Sequence, residues 1–364
     1  MKPWLRAVLL LAGLGLFGYF IYDAGPSNIV KAYRGLGWWA LFALIPFAIV
    51  LSIDALGWSF IFAREHIENI RYRTLWYVRL AGEAVNNVIP SMYVGGEATK
   101  VYLLHKRGVP VVATTAAAVR SKTAQSVAQS TFIALAAFTA AITLESGAML
   151  PVVNIPAKPV FIGFALVGFL FMGLLFLLQS RGMSMTLLGW VRSLGLKLKR
   201  MVKHEERLQR MDEAIYNFYT KSRRRFVRCT LVYLLGWIFD TVEILLVSHV
   251  LEMPVAWHEA LMIEAFIGVA KAAYVVVPGA FGIQEYAVVM LFVLFDAGGA
   301  ENAKSLGTQY AIIRRGRELA FTALGWTFLY NDEASLKGIT QRVQEEAIEM
   351  EAVEAEARMD TLKD

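Results

Sequence analysis

Asn87-Val88-Ile89-Pro90-Ser91-Met92-Tyr93-Val94-Gly95-Gly96-Glu97 and Pro278-Gly279-Ala280-Phe281-Gly282-Ile283-Gln284-Glu285 are the two stretches on which the fold turns. In each, a proline is followed seven residues later by a glutamate, with glycine between them, and an apolar segment comes next. Proline has no N–H to donate and glycine tolerates unusual backbone angles, so each stretch interrupts a helix. Both interruptions fall inside long apolar regions, Leu75 to Leu104 and Glu259 to Ala297. Backbone groups freed within a bilayer find no water, so such segments must be buried in protein or line a wet cavity.

The flanks of the two stretches agree. Asp54 lies 36 residues before Pro90 and Asp240 lies 38 residues before Pro278, each inside an apolar run. Basic residues follow in the next run, Arg120 and Lys122 in one half and Arg314, Arg315 and Arg317 in the other. The ordered series of acid, Pro-Gly-Glu break and base predicts an internal duplication.

The surroundings are those of a membrane protein. Of 364 residues 57% are hydrophobic and 18% charged, and the mean hydropathy is +0.50, outside the soluble globular range. The runs Trp4 to Tyr22, Leu36 to Ala63, Val160 to Leu178 and Val227 to Leu251 approach or exceed the roughly 20 residues that cross about 30 Å of hydrocarbon. Val111 to Leu144 and Ser305 to Tyr330 carry charges but are expected to span as well. The fold class expected is all-α: a polytopic helical membrane protein of about six spans, with two inverted repeats containing re-entrant or broken helices.

Charge sets the topology. Arg181 to Arg228 holds thirteen Lys/Arg against four Asp/Glu, which places a basic loop, 181–226, in the cytoplasm. Lys2 and Arg6 place the N-terminus there too, on a first helix that is expected to be retained because no small-x-small cleavage site follows it. The unit at about 36–144 then begins with a span running inward and the unit at about 227–330 with one running outward, so the repeats are inverted. Inverted repeats with interrupted helices are how many secondary transporters build a midplane site open to alternate sides. Residues 1–330 form the membrane domain, and 331–364 an acidic cytoplasmic tail. From Asp332 onward there are ten acids against four bases, net −6, leaving +12 on the rest of the +6 chain.

Ionised groups at the bilayer centre cost roughly 2.5–3.5 kcal/mol each on insertion scales, so those retained pair with one another or line a pathway. The substrate-binding or gating candidates are Glu97, Glu285, Arg120, Arg314, Asp54, Asp240, Asn87, Pro90, Gly96, Pro278, Gly279 and Gly282. Glu97 and Glu285 are expected at the helix breaks, with Arg120 and Arg314 as their partners or as anchors for an anionic headgroup. Asp240 and Glu243 share a helical face, as do Lys122, Gln125 and Gln129, and Arg314 and Glu318 stand four apart, at pairing distance. Glu83, Glu264 and Lys271 sit in the broken stretches without matched counterparts. Trp38, Trp39, Trp58, Trp76, Tyr77, Trp190 and Trp326 read as an interfacial belt. Cys229 is the only cysteine, which excludes an intrachain disulfide and a multi-cysteine metal site, and no His-Glu-x-x-His pair occurs. No catalytic residue, metal ligand or cofactor is therefore nominated.

Asn87-x-x-Pro90 leading to Gly96-Glu97-x-x-Lys100-x-Tyr102-Leu103-Leu104 resembles the first motif of the transmembrane, flippase-like region of bacterial lysylphosphatidylglycerol synthases and their stand-alone relatives. Pro278 to Glu285 resembles the second, which commonly reads Pro-Gly-Gly-x-Gly-x-Arg-Glu; here Ala280 replaces a glycine and Gln284 an arginine. The resemblance covers about Leu36 to Tyr330. It implies re-entrant inverted repeats, a bacterial inner-membrane location and a role in lipid translocation, with an anionic phospholipid or a hopanoid-like amphiphile as the partner and no nucleic acid. The full-length synthases add a soluble aminoacyl-transfer domain, whereas only a short acidic tail follows Tyr330 here, so a stand-alone member is expected. No ATP-binding Gly-x-x-x-x-Gly-Lys occurs, so any net pumping needs an ion gradient. The alternatives are a secondary transporter of a small solute, an intramembrane enzyme on a lipid-linked substrate with Asp54, Asp240 or Glu285 as base, and a non-transporting partner of a lipid-synthesis complex.

Overall fold

The longest helix decides the packing of everything around it. In the computed structural model it covers Val111–Thr143 and follows Pro110 directly. At 1.5 Å per residue it rises ~50 Å, more than the hydrocarbon of a bilayer requires. Its buried face is made of alanine, with Ala117, Ala124, Ala128, Ala134, Ala136, Ala137 and Ala140 almost wholly covered. Small side chains let neighbouring backbones come close, which is how helices associate where lipid removes the hydrophobic drive between them. Thr114, Thr123, Thr131, Thr139 and Thr143 turn their hydroxyls back onto carbonyls four residues earlier, so their polar atoms are satisfied within the helix.

The structure describes residues 37–62, 70–88, 94–144, 155–180, 223–270, 282–299 and 301–331, with scattered residues between 15 and 34 and between 147 and 150. In chain order the helices are α1 (Trp39–Phe42), α2 (Leu44–Ser59), α3 (Tyr72–Val88), α4 (Val94–His105), α5 (Val111–Thr143), α6 (Ala157–Ser180), α7 (Arg223–Val250), α8 (Trp257–Ala270), α9 (Ile283–Leu294) and α10 (Ala303–Asn331). The one extended feature among the described residues is a two-residue antiparallel ladder, Met149–Leu150 with Ile155–Pro156, between α5 and α6.

Two of these helices, at Ala113–Thr143 and Arg223–Val250, are long and apolar enough to cross a membrane. The molecule is also turned inside out relative to a water-soluble one. Val167 and Leu170 on α6 are 62% and 72% exposed, while Arg314 is 0% exposed. Leu231, Leu235 and Ile238 on α7, and Leu135, Phe138 and Ile142 on α5, likewise face outward. Apolar side chains outside and charges inside are what a lipid solvent selects. The protein is an all-α membrane protein.

The run Leu36 to Ala63, expected as one span, is divided: α1 ends at Phe42 and, after Ala43, α2 begins at Leu44 with Pro46 in its first turn, where a missing N–H costs nothing. Each helix flanking the two broken stretches is short. The twelve residues of α4 and of α9 rise only ~18 Å each. Neither reaches across ~30 Å. Instead α3 packs against α4, and α8 against α9, as two helical pairs. The residues joining each pair, which include Pro90, Pro278 and Gly279, lie outside the described residues, as do most of the expected first span, the basic loop from 181 to 222 and the tail beyond Asn331.

The halves interlock. α2 packs on α7, the corresponding helix of the other half; α3 packs on α10, and α8 packs reciprocally on α5. The first helix of each short pair, α3 or α8, thus docks on the other half's long helix, and the second, α4 or α9, on its own half's, α5 or α10.

Candidate functional site

In the first half, the charges converge from four helices. Arg79 on α3 donates to Asp54 on α2 at 2.9 Å and to Glu83, one turn along its own helix, at 2.7 Å. Glu97, in the first turn of α4, takes Lys100 at 2.7 Å and Lys122 of α5 at 3.2 Å. A carboxylate in the first turn also sits at the positive end of the helix dipole. Lys100 lies 5.6 Å from the centroid of the Trp58 ring. Most of these side chains are partly open to the surroundings, with Glu83 29% and Lys122 45% exposed, while Lys100 is buried.

The approach of α3 to α4 depends on two glycines. A Cβ at Gly82 would lie 2.9 Å from the Gly96 carbonyl oxygen, and one at Gly96 would collide with the Gly82 carbonyl and the Asn86 amide. Asn86 Oδ1 accepts from the Gly96 N–H at 2.9 Å, which fixes the start of α4 against α3.

The second half holds the same kind of cluster, built from arginine. Arg314 of α10 forks onto Glu264 of α8, with Nη1 at 2.7 Å and Nη2 at 2.9 Å from its two oxygens, and Nη1 also donates to the Tyr310 hydroxyl at 2.8 Å. Arg315 pairs with Glu285 of α9 and, at 3.0 Å, with Glu318. Arg317 pairs with Glu243 of α7 and lies 4.2 Å from the centroid of the Phe47 ring of the first half. Gln284 donates to Glu318 at 2.9 Å. Gly282, at φ 78°, starts α9, and Glu285 reaches back to accept its N–H at 2.8 Å. The ion pairs of this cluster are closed off, with side-chain exposures of 0–13%.

Two hydrogen bonds tie the halves together at corresponding places. Asn87, at the end of α3, donates to Thr322 of α10 at 3.0 Å. Gln129 of α5 donates to the Gly268 carbonyl, near the end of α8, at 3.2 Å. The shift in residue number that carries Lys122 onto Arg315 also carries Gln129 onto Thr322.

Of the nominated residues, Glu97 and Glu285 stand at the helical pairs with partners other than those expected. Glu97 meets Lys100 and Lys122, and Glu285 meets Arg315. Arg120, two residues from Lys122 on a helix, points to a different side of α5, since i and i+2 do not share a face. Arg314 keeps Glu318 at 3.8 Å from Nε, but its fork goes to Glu264. Asp54 holds Arg79, and Asp240 is buried on α7 one turn before Glu243. Sequence reasoning missed Arg79, although its four-residue spacing from Glu83 inside an apolar stretch was the available signal. It also left Glu264 without a role.

Among the described residues no group of three or more His, Cys, Asp or Glu is arranged to hold a metal ion. What the two clusters offer is a set of charge-assisted bonds, each worth more in a low-dielectric interior than in water, that join α2, α3, α4 and α5 within the first half and α7, α8, α9 and α10 within the second.

Comparison with known proteins gives these clusters a family setting. A stretch of 101 residues, 28% of this chain, is 33% identical to a UPF0104 membrane protein of Methanothermobacter thermautotrophicus. The match spans 30% of that relative's length. No solved structure matches. The model of the lysylphosphatidylglycerol synthase TM region matches residues 4–325, nearly the whole chain and both charge clusters, and the chain belongs to that family.

Proposed function

We propose that the chain moves an amphiphilic lipid between the leaflets of a bacterial cytoplasmic membrane, binding it between two inverted repeats whose short helical pairs re-enter the bilayer. The observation that carries this reading is the pair of charge clusters set inside an apolar-faced membrane protein, one at each helical pair, with Glu97 and Glu285 in the first turns of α4 and α9. Helices too short to cross, an ionised group at the start of each, and cross-docking of the halves are the parts from which midplane sites are made. Partial exposure of Lys122 and Glu97 supplies a polar surface on which a headgroup can rest. An anionic phospholipid or a hopanoid-like amphiphile fits such a surface, with the acyl or polycyclic body in the bilayer. No step of this reading requires covalent chemistry.

Leaflet exchange in proteoliposomes tests it, with a set of head-group-labelled phospholipids and a labelled hopanoid, for the wild type beside Glu97→Gln/Glu285→Gln. Accelerated exchange by the wild type and its loss in the folded double variant is the expected result. Exchange of no lipid by folded protein transfers the reading to a small-solute transporter or to a non-transporting partner of a lipid-synthesis complex; deletion of residues after Asp332 separates these two, since a transporter survives that loss.

A further inference from the structure

The two clusters correspond in position and differ in accessibility. Arg79, Asp54, Glu97, Glu83 and Lys122 are 16, 18, 20, 29 and 45% exposed as side chains, with Lys100 at 6%, whereas Arg314, Glu264, Glu285, Arg317, Arg315 and Glu318 are 0, 0, 1, 2, 7 and 13% exposed. Charged groups facing hydrocarbon are costly, so exposure on this scale inside the membrane region marks a crevice reached by water or headgroups. The first half therefore stands open at its cluster, and the second is sealed. The pairs also differ in kind: on the closed side Arg314 forks onto the two oxygens of Glu264, whereas on the open side Arg79 divides its guanidinium between Asp54 and Glu83, and Glu97 takes lysines as point charges.

We propose that these clusters are two alternating gates, that this structure is the state with the first gate open and the second shut, and that the halves exchange the two conditions. Resting on the transport reading above, the proposal adds the identity of the gates and the pair that holds the closed one, Arg314 with Glu264. The docking pattern supplies the mechanical link. Because α3 packs on α10 and α8 on α5, the helix that opens one cluster is in contact with the long helix that closes the other. The two tip bonds, Asn87 to Thr322 and Gln129 to Gly268, fix where each short pair is held while its cluster changes.

Thiol accessibility tests this without any transport assay, so it can fail while lipid exchange stands, and the reverse. Buried Cys229 is replaced by alanine, and one reporter is added beside each cluster: Gln125→Cys, three residues from Lys122, or Ala311→Cys, one turn before Arg315 and 2% exposed. Each chain is placed in lipid nanodiscs, where both faces meet a charged, membrane-impermeant maleimide. With the second gate open only in a minor population, the Ala311→Cys chain should label at least about tenfold more slowly than the Gln125→Cys chain. Adding Glu264→Gln should reverse the order, speeding the second reporter and slowing the first. Should that variant fail to fold, Arg314→Lys keeps the charge but loses the fork and serves in its place. Equal labelling in the parent chains overturns the assignment of open and shut. A gate variant that changes neither reporter, or speeds both together, overturns the exchange.

Discussion

At the scale of the residue, the decisive contrast is between a buried ion pair as a whole and either of its members alone. Arg314 and Glu264 are both wholly buried and fit each other through two bonds. Removing one partner leaves an uncompensated charge and costs about 3–5 kcal/mol, whereas replacing both by apolar residues of like volume costs far less. Glu264→Leu should therefore lower the thermal midpoint in detergent strongly, and Glu264→Leu/Arg314→Met should recover most of the loss; a double variant as unstable as the single one would mean that the pair's further partners, Tyr310 and Glu318, dominate. The sequence made these charges conspicuous, because an arginine inside an apolar run has to be accounted for. Their pairing was not legible. Arg314, Arg315 and Arg317 stand within four positions, and which faces Glu264, Glu285 or Glu243 depends on the rotation of α10 against three separate helices.

At the scale of the element, the tightness of the α3–α4 pair is set by glycine. Gly96→Ala puts a methyl group into the Gly82 carbonyl and should cost about 1–3 kcal/mol by overpacking. Gly163→Ala on α6, where nothing lies within 4 Å, should be neutral or stabilise by up to ~1 kcal/mol through helix propensity. Unfolding midpoints of the two variants, compared with the wild type, read the difference directly; equal effects would remove the close approach as the reason for Gly96. Helical content and the two interruptions were legible, since Pro and Gly announce themselves against an apolar background. The division of Leu36 to Ala63 into α1 and α2 was not, for Pro46 is as much at home in a first turn as at a break.

At the scale of the whole molecule, the halves hold each other through reciprocal docking, and the bond from Asn87 to Thr322 is a measurable share of that. A double-mutant cycle of Asn87→Ala and Thr322→Val should give a coupling of about 0.5–2 kcal/mol, as interhelical hydrogen bonds in membranes do. No coupling would mean that apolar contact alone, such as Gly325 against Ala84, joins α3 to α10. The sequence offered an ordered series of residue types as the sign of two units. The cross-docking was not legible, because nothing in a linear pattern says that α3 and α8 pack on the other half's long helix while α4 and α9 pack on their own. Order of synthesis then acquires a meaning. The carboxylates that receive the three arginines of α10 from other helices, Glu243, Glu264 and Glu285, all precede it in the chain. When α10 leaves the ribosome it carries three cations that an empty bilayer resists by roughly 2.5–3.5 kcal/mol apiece. Its entry is a docking onto acids already waiting in the membrane, so the insertion of the last helix reports on the assembly of those before it.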